Sequence, residues 1–138
     1  MPESTQQFPI GLTGKARVVV GEELTARHMG SGAVRVFATP EMVRLMERAA
    51  VNALAPHLSA GQQSVGTLVN VKHLAATPLG ATVTATAELI GVDGRRLTFR
   101  VSATDGMDTI GEGLHERALI DLERFEQKAA AKRAALES

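Results

Sequence analysis

Two stretches of this chain alternate apolar and polar residues with a period of two. From Gly80 to Val92, Val83, Ala85, Ala87 and Leu89 fall on one face and Thr82, Thr84, Thr86 and Glu88 on the other. From Arg95 to Thr104, Leu97, Phe99, Val101 and Ala103 are set against Arg96, Thr98, Arg100 and Ser102. Each predicts a half-buried strand, and Asp93-Gly94 between them is a two-residue hairpin signal. Asp105-Gly106 begins a second turn, after which Thr109 to Asp121 forms a last strand. Upstream, Lys15 to Val20, closed by Gly21, reads as a first strand, and Ser64 to Ala75 as another interrupted only by Gly66.

One segment follows the helical period instead. Thr39 suits a helix N-cap, Pro40 the first helical position and Glu41 the first turn. The run EMVRLMERAAVNALA then continues to Pro56, a helix of about four turns. On a wheel with Met42 as origin, Leu45, Met46, Ala49 and Ala53 form the core stripe, while Glu41, Arg44, Arg48 and Asn52 form the solvated face. His28 to Arg35, with Gly30, Ser31 and Gly32, reads as a flexible loop. Residues 1 to 14 read as a flexible arm, interrupted by Pro2, Pro9, Gly11 and Gly14. The charged tail FEQKAAAKRAALES is expected to be helical and solvated. The domain proper is assigned to 15–127 and the terminal tail to 128–138. Half-polar strands joined by hairpins predict an antiparallel sheet with one wet face, and a single long helix covering it makes a two-layer α+β domain.

Glu47 breaks the helix pattern. It falls at about 140° on the wheel, between Leu54 and Val51, inside the apolar arc. A carboxylate there must be paired, protonated or facing a cavity, because burying it bare costs several kcal/mol. One reading is a helix-edge residue that snorkels or pairs with Arg44 or Arg48. The other is a catalytic group. His73 shares a strand face with Val71, Val69 and Thr67 under strict alternation, whereas Leu68, Asn70 and Lys72 take the opposite face. It is either a satisfied core histidine or an acid–base group aimed into the same layer as Glu47, an arrangement that general acid–base or nucleophilic catalysis requires. Capping alone explains Thr39, and a straight helix separates its Cα from that of Glu47 by about 12 Å. Gly66, Gly111 and Gly113 lie in strands, where glycine marks a bulge or a close approach. Arg117 is either a surface charge or an anion contact.

Composition narrows the function classes. The 138 residues suit one domain, and 44% hydrophobic content suffices for a core. Lys plus Arg equals Asp plus Glu at 15 each, and aromatics make up only 3%, so neither a basic field nor a base-stacking surface points to nucleic acid. With no cysteine, disulfides and thiolate metal sites are excluded. His28, His57, His73 and His115 show no metal-binding spacing, and no metal is expected. No apolar run approaches a bilayer span and the N-terminus does not resemble a secretory signal, so a cytoplasmic protein without a membrane partner is expected.

The stretches ATPEMVRLMERAAVNALAPHL, SVGTLVNVKHLAATPLGATVTATAEL and GRRLTFRVSATDGMDTIGEGLHERALI resemble the fluoroacetyl-CoA thioesterase group of hot-dog-fold proteins. The likeness covers residues 15 to 127 and is densest from His73 to Ile120. It implies a hot-dog fold, with a five-stranded antiparallel sheet wrapped around one long helix. It also implies an acyl-CoA thioesterase that uses no separate cofactor, since coenzyme A is part of the substrate, and acts as a homodimer with sites at the subunit interface. Thr39, Glu47 and His73 fall on the family's catalytic positions. The resemblance makes Glu47 nucleophile or general base, His73 its acid–base partner and Thr39 an orienting group. Gly66 and Arg117 fall on positions lining the acyl pocket near the α-substituent. Where fluoroacetyl-specific members carry lid phenylalanines, counting back from Phe37, this chain has Ala33 and Gly30. That departure implies another short acyl-CoA, or broader tolerance. A hot-dog enoyl-CoA hydratase and a non-catalytic acyl-CoA-binding protein are the rival readings.

Overall fold

The computed structural model describes residues 7–138. Strands β1 (Thr13–Val19), β2 (Gln62–His73), β3 (Thr82–Asp93), β4 (Arg96–Thr104) and β5 (Thr109–Asp121) form one sheet in the order β1-β3-β4-β5-β2. Every neighbouring pair is antiparallel. Helix α1 (Ala26–Met29) is a single turn, α2 (Thr39–Leu54) is the long helix and α3 (Leu122–Glu137) ends the chain. This is the hot-dog arrangement, a curled sheet around one helix.

The alternating stretches do what their pattern dictates. Val83, Ala85, Ala87 and Leu89 of β3 and Leu97, Phe99 and Val101 of β4 are fully buried, with Ala103 nearly so. Met42, Leu45, Met46, Ala49, Ala50, Ala53 and Leu54 of α2 pack onto them. Each large side chain here contributes about 1.5–3 kcal/mol of burial. Gly14 lets α2 sit close on β1, because a Cβ there would collide with the backbone of Ala49 and Ala53. Extra residues at Thr67, Ile90 and Ile110 break the ladder register, and such bulges bend strands and increase twist, curling the sheet around α2.

Several boundaries differ from the sequence expectation. The β3–β4 turn residues are Gly94 and Arg95, because Asp93 still pairs with Arg96, and Gly94 takes φ +62°. The expected loop from His28 begins inside α1, where the Thr25 side chain accepts from the His28 N–H and Gly30 closes the turn in the left-handed region. Helix α3 starts at Leu122, inside the stretch assigned to the domain, with the Asp121 side chain capping it by accepting from the Arg124 N–H. None of its residues is buried. Of the expected N-terminal arm, residues 1–6 lie outside the described residues. Beyond them Gln7 donates to the His57 carbonyl, Phe8 is buried and β1 begins at Thr13.

Candidate active site

Thr39 is not the cap of α2. Ala38 holds that position without a side-chain bond, and Thr39 is the first helical residue. Its hydroxyl is therefore free for a different partner, and lies 2.7 Å from Nδ1 of His73 at the end of β2. The other ring nitrogen, Nε2, is buried and has no hydrogen-bond partner. Burial holds the His73 pKa below the usual imidazole value, so the ring is neutral near pH 7. It can then take a proton at one nitrogen and hand it on while Thr39 fixes the other. The pair borders a cavity of about 380 Å³ whose apolar wall includes Val36, Phe37, Leu74 and Ala75. Ala33 and Gly30 are exposed and place no ring over it.

A second cluster lies further along α2. The Glu47 side chain is 40% exposed and its Oε2 lies 3.6 Å from Nη1 of Arg117. The partner is thus on β5, neither Arg44 nor Arg48. Arg117 is buried, which excludes the surface-charge reading. Its Nε donates to Ser64 Oγ (2.8 Å) and its Nη2 to the Ser64 carbonyl (3.1 Å). Its Nη1 lies 3.1 Å from Nε2 of His115. An arginine only donates, so His115 Nε2 must accept. The opposite nitrogen, Nδ1, then carries the proton and donates to the Leu68 carbonyl at 2.8 Å. Desolvation, opposed by that bond and aided by the nearby Arg117 charge, holds the His115 pKa below its usual value. Desolvation likewise lowers the Arg117 pKa against the pull of Glu47. A guanidinium nonetheless stays charged at any physiological pH.

Gly66 belongs to this cluster because of the bulge. Gly66 pairs with Arg117 and Leu68 with Glu116, leaving Thr67 as the extra residue. Strict alternation puts Gly66 and His73 on opposite faces and Thr67 with His73. The extra residue reverses the phase, so Gly66 faces α2 and Thr67 leaves the set. A Cβ at Gly66 would stand 2.6 Å from Glu47 Oε2, 3.3 Å from His115 and 3.4 Å from Arg117. Bare backbone is what lets a carboxylate and a guanidinium share this space. Gly111, by contrast, is bare to admit the Met42 side chain, and Gly113 to admit β2.

Thr39 and His73 meet, as do Glu47, Gly66 and Arg117, but no hydrogen bond or ion pair among the described residues joins the two groups. The sequence reading missed His115 and Ser64. The signal for His115 was present in HER, where period two puts it on the face of Arg117. No three His, Asp or Glu side chains among the described residues gather as a metal site, and no described helix is long and apolar enough to cross a membrane.

Residues 20–123 match a protein-family model described as fluoroacetyl-CoA-specific thioesterase. The fluoroacetyl-CoA thioesterase of Streptantibioticus cattleyicolor is 60% identical over 97 residues, 70% of each chain. A solved structure of the fluoroacetyl-CoA thioesterase FlK superimposes with a TM-score of 0.83 at 49% identity, over 90% of this chain and 96% of that one. A single-substitution variant of FlK holding fluoroacetate and CoA gives 0.80 at 51% identity, over 85% and 98%. A thioesterase-superfamily member from Thermus thermophilus gives 0.88 at 30% identity, over 94% and 96%.

Proposed function

The chain belongs to the fluoroacetyl-CoA-specific thioesterase family of hot-dog thioester hydrolases, and on that premise we propose that it hydrolyses a short-chain acyl-CoA to the free acid and CoA, with Glu47 as nucleophile or general base and His73 as acid–base partner. The observation that carries the reading is the half-exposed Glu47 carboxylate, with one oxygen held by a buried arginine and bare Gly66 backbone beside it. A thioester carbonyl set against Gly66 meets a carboxylate that is anchored yet accessible. Glu47 either attacks the carbonyl carbon and expels the thiolate, leaving a mixed anhydride that water then hydrolyses to the free acid, or takes a proton from a water that attacks the carbonyl carbon, after which the C–S bond breaks. The leaving thiolate is a good one, since a thiol pKa is about 8.5, so modest proton donation suffices. Neutral His73 takes up the proton released by the attacking water and returns it to the thiolate, and the Thr39 hydroxyl orients its ring. Gly66 and Arg117 border the acyl group near its α-substituent. The chemistry needs no cofactor beyond the CoA of the substrate.

A homodimer fits this reading. The sheet ends on β2, a 12-residue edge strand with Leu68 and Val69 exposed, and a long apolar edge invites pairing with another strand. The separation of the two clusters along α2 is also what a site completed across an interface would show.

The test is CoA release from acyl-CoAs of two to about eight carbons, with fluoroacetyl-CoA in the panel, by the wild type and the Glu47→Ala and His73→Ala variants. Loss of turnover in both variants supports the assignment. Unchanged turnover in both sinks it, and intact esters bound by the wild type would mark a binding protein.

A further inference from the structure

At the opposite end of α2 from Thr39, the turn between β3 and β4, the entry to β2 and the first turns of α3 enclose a second cavity of about 480 Å³. Three cations line it, Arg95, Arg124 and Lys128, and among the described residues none of them forms an ion pair. The one acidic side chain on its wall, Asp121, is already engaged as the cap of α3. The chain has four aromatic residues, all phenylalanine. Phe8, Phe37 and Phe99 are buried, whereas Phe125 is 44% exposed and stands on the wall among the three cations. The Gly61 carbonyl accepts from the Leu122 N–H and the Arg95 carbonyl from the Leu119 N–H, so the walls are tied to one another.

We propose that this cavity holds the adenosine 3′,5′-bisphosphate end of the CoA substrate, with Arg95, Arg124 and Lys128 on the phosphates and Phe125 stacked on the adenine. This rests on the thioesterase reading. Unpaired cations around an exposed ring match a ligand that is polyanionic at one part and a flat heterocycle at the next. The register supports the distance. Arg117 pairs with Gly66 and Asp121 with Gln62, so the cavity lies four residues along the strands from Glu47. That is about 13 Å at the usual rise, a span suited to an extended pantetheine arm. Such a site would add affinity at a distance from the reacting bond, and it would be sensitive to salt.

The experiment compares a short acyl-CoA with the same acyl group on pantetheine, and measures binding of free adenosine 3′,5′-bisphosphate by calorimetry. In an Arg95→Ala/Arg124→Ala variant, the preference in kcat/KM for the CoA ester over the pantetheine ester is expected to fall at least tenfold. The bisphosphate Kd is expected to rise by a similar factor, and Phe125→Ala to weaken it severalfold. Wild-type binding should weaken as salt is raised from low to physiological strength. An unchanged preference together with an unchanged bisphosphate Kd overturns the proposal while leaving the thioesterase reading intact. Bisphosphate binding that depends on Arg95 and Arg124, with neither ester hydrolysed, keeps the site and overturns the thioesterase reading.

Discussion

The sheet has two halves built from the same antiparallel pairing, and they serve different ends. On β3 and β4 the inward positions from Val83 to Leu89 and from Leu97 to Ala103 are apolar and within 2% of full burial. Across the next pairing the row changes character: Phe99 lies opposite His115, and Leu97 opposite Arg117. One more strand along, Arg117 faces Gly66. Walking across the sheet thus passes from a dry layer to polar groups held by directed bonds, and then to bare backbone. The dry half supplies cohesion that is insensitive to geometry. The polar half has meaning only if each nitrogen finds its acceptor, because an unpaired buried donor costs about 1–3 kcal/mol.

Four substitutions would break or sharpen that contrast. Glu47→Gln should lower kcat/KM by about 10²–10⁴-fold. The Glu47 side chain is 40% exposed and a glutamine keeps an oxygen to face the buried Arg117, which limits the accompanying loss of stability to about 1 kcal/mol. Steady-state kinetics and denaturant unfolding measure the two separately, and a purely structural Glu47 would lose stability without this loss of turnover. Phe99→Ala should do the reverse, lowering the unfolding free energy by about 3–5 kcal/mol while leaving kcat of the remaining folded fraction near wild type. A catalytic defect larger than the folding defect would show that the halves are not separable. Gly66→Ala introduces a methyl group only 2.6 Å from Glu47 Oε2, so the carboxylate must move. Activity should fall tenfold or more with a melting temperature changed by only a few degrees, since the carboxylate can swing away and the core is untouched.

The smallest effect is expected from pH. His73 and His115 have folded pKa values below the unfolded value of about 6.5. Between the two, the unfolded chain binds more protons, so stability falls as pH drops through 6.5 toward the folded values, and is level above it. Protonation of His115 would also leave Arg117 Nη1 facing a donor. His115→Asn should flatten the acid limb of the unfolding curve, and an unaltered limb would remove His115 from this account. On catalysis, kcat/KM of the wild type should rise with pH through an apparent value below 6.5 as His73 loses its proton.

The dry half was legible in the sequence because alternation is a local signal. Val83 to Leu89 and Leu97 to Ala103 fell on the expected face, and Thr109–Asp121 was bounded correctly. Glu47 stood out because a carboxylate inside an apolar arc demands a partner, yet the partner lies far along the chain on β5, where no wheel could find it. Thr39 was misread as a cap because cap propensity says nothing of a histidine arriving from β2. Periodicity put His73 on the helix-facing side and Gly66 on the far one, since the glycine in SVGTLVNVKH marked a bulge or a close approach without telling which, or which residue would be the extra one. His115 escaped notice because its role is to hold another side chain, a relation visible only once both nitrogens have partners.

The extra residue at Thr67 makes strand length itself a variable. On either side of it the alternation of β2 is regular but of opposite parity. Shortening the chain there by one residue would preserve which face each neighbour presents. An insertion or deletion anywhere else in the strand would turn part of it inside out. Thr67 is therefore the point where β2 can change its count without changing its orientation. What a deletion there would forfeit is the local bend that brings the Leu68 carbonyl to His115, which makes residue number, rather than residue identity, the cheapest handle on the geometry of the Arg117 cluster.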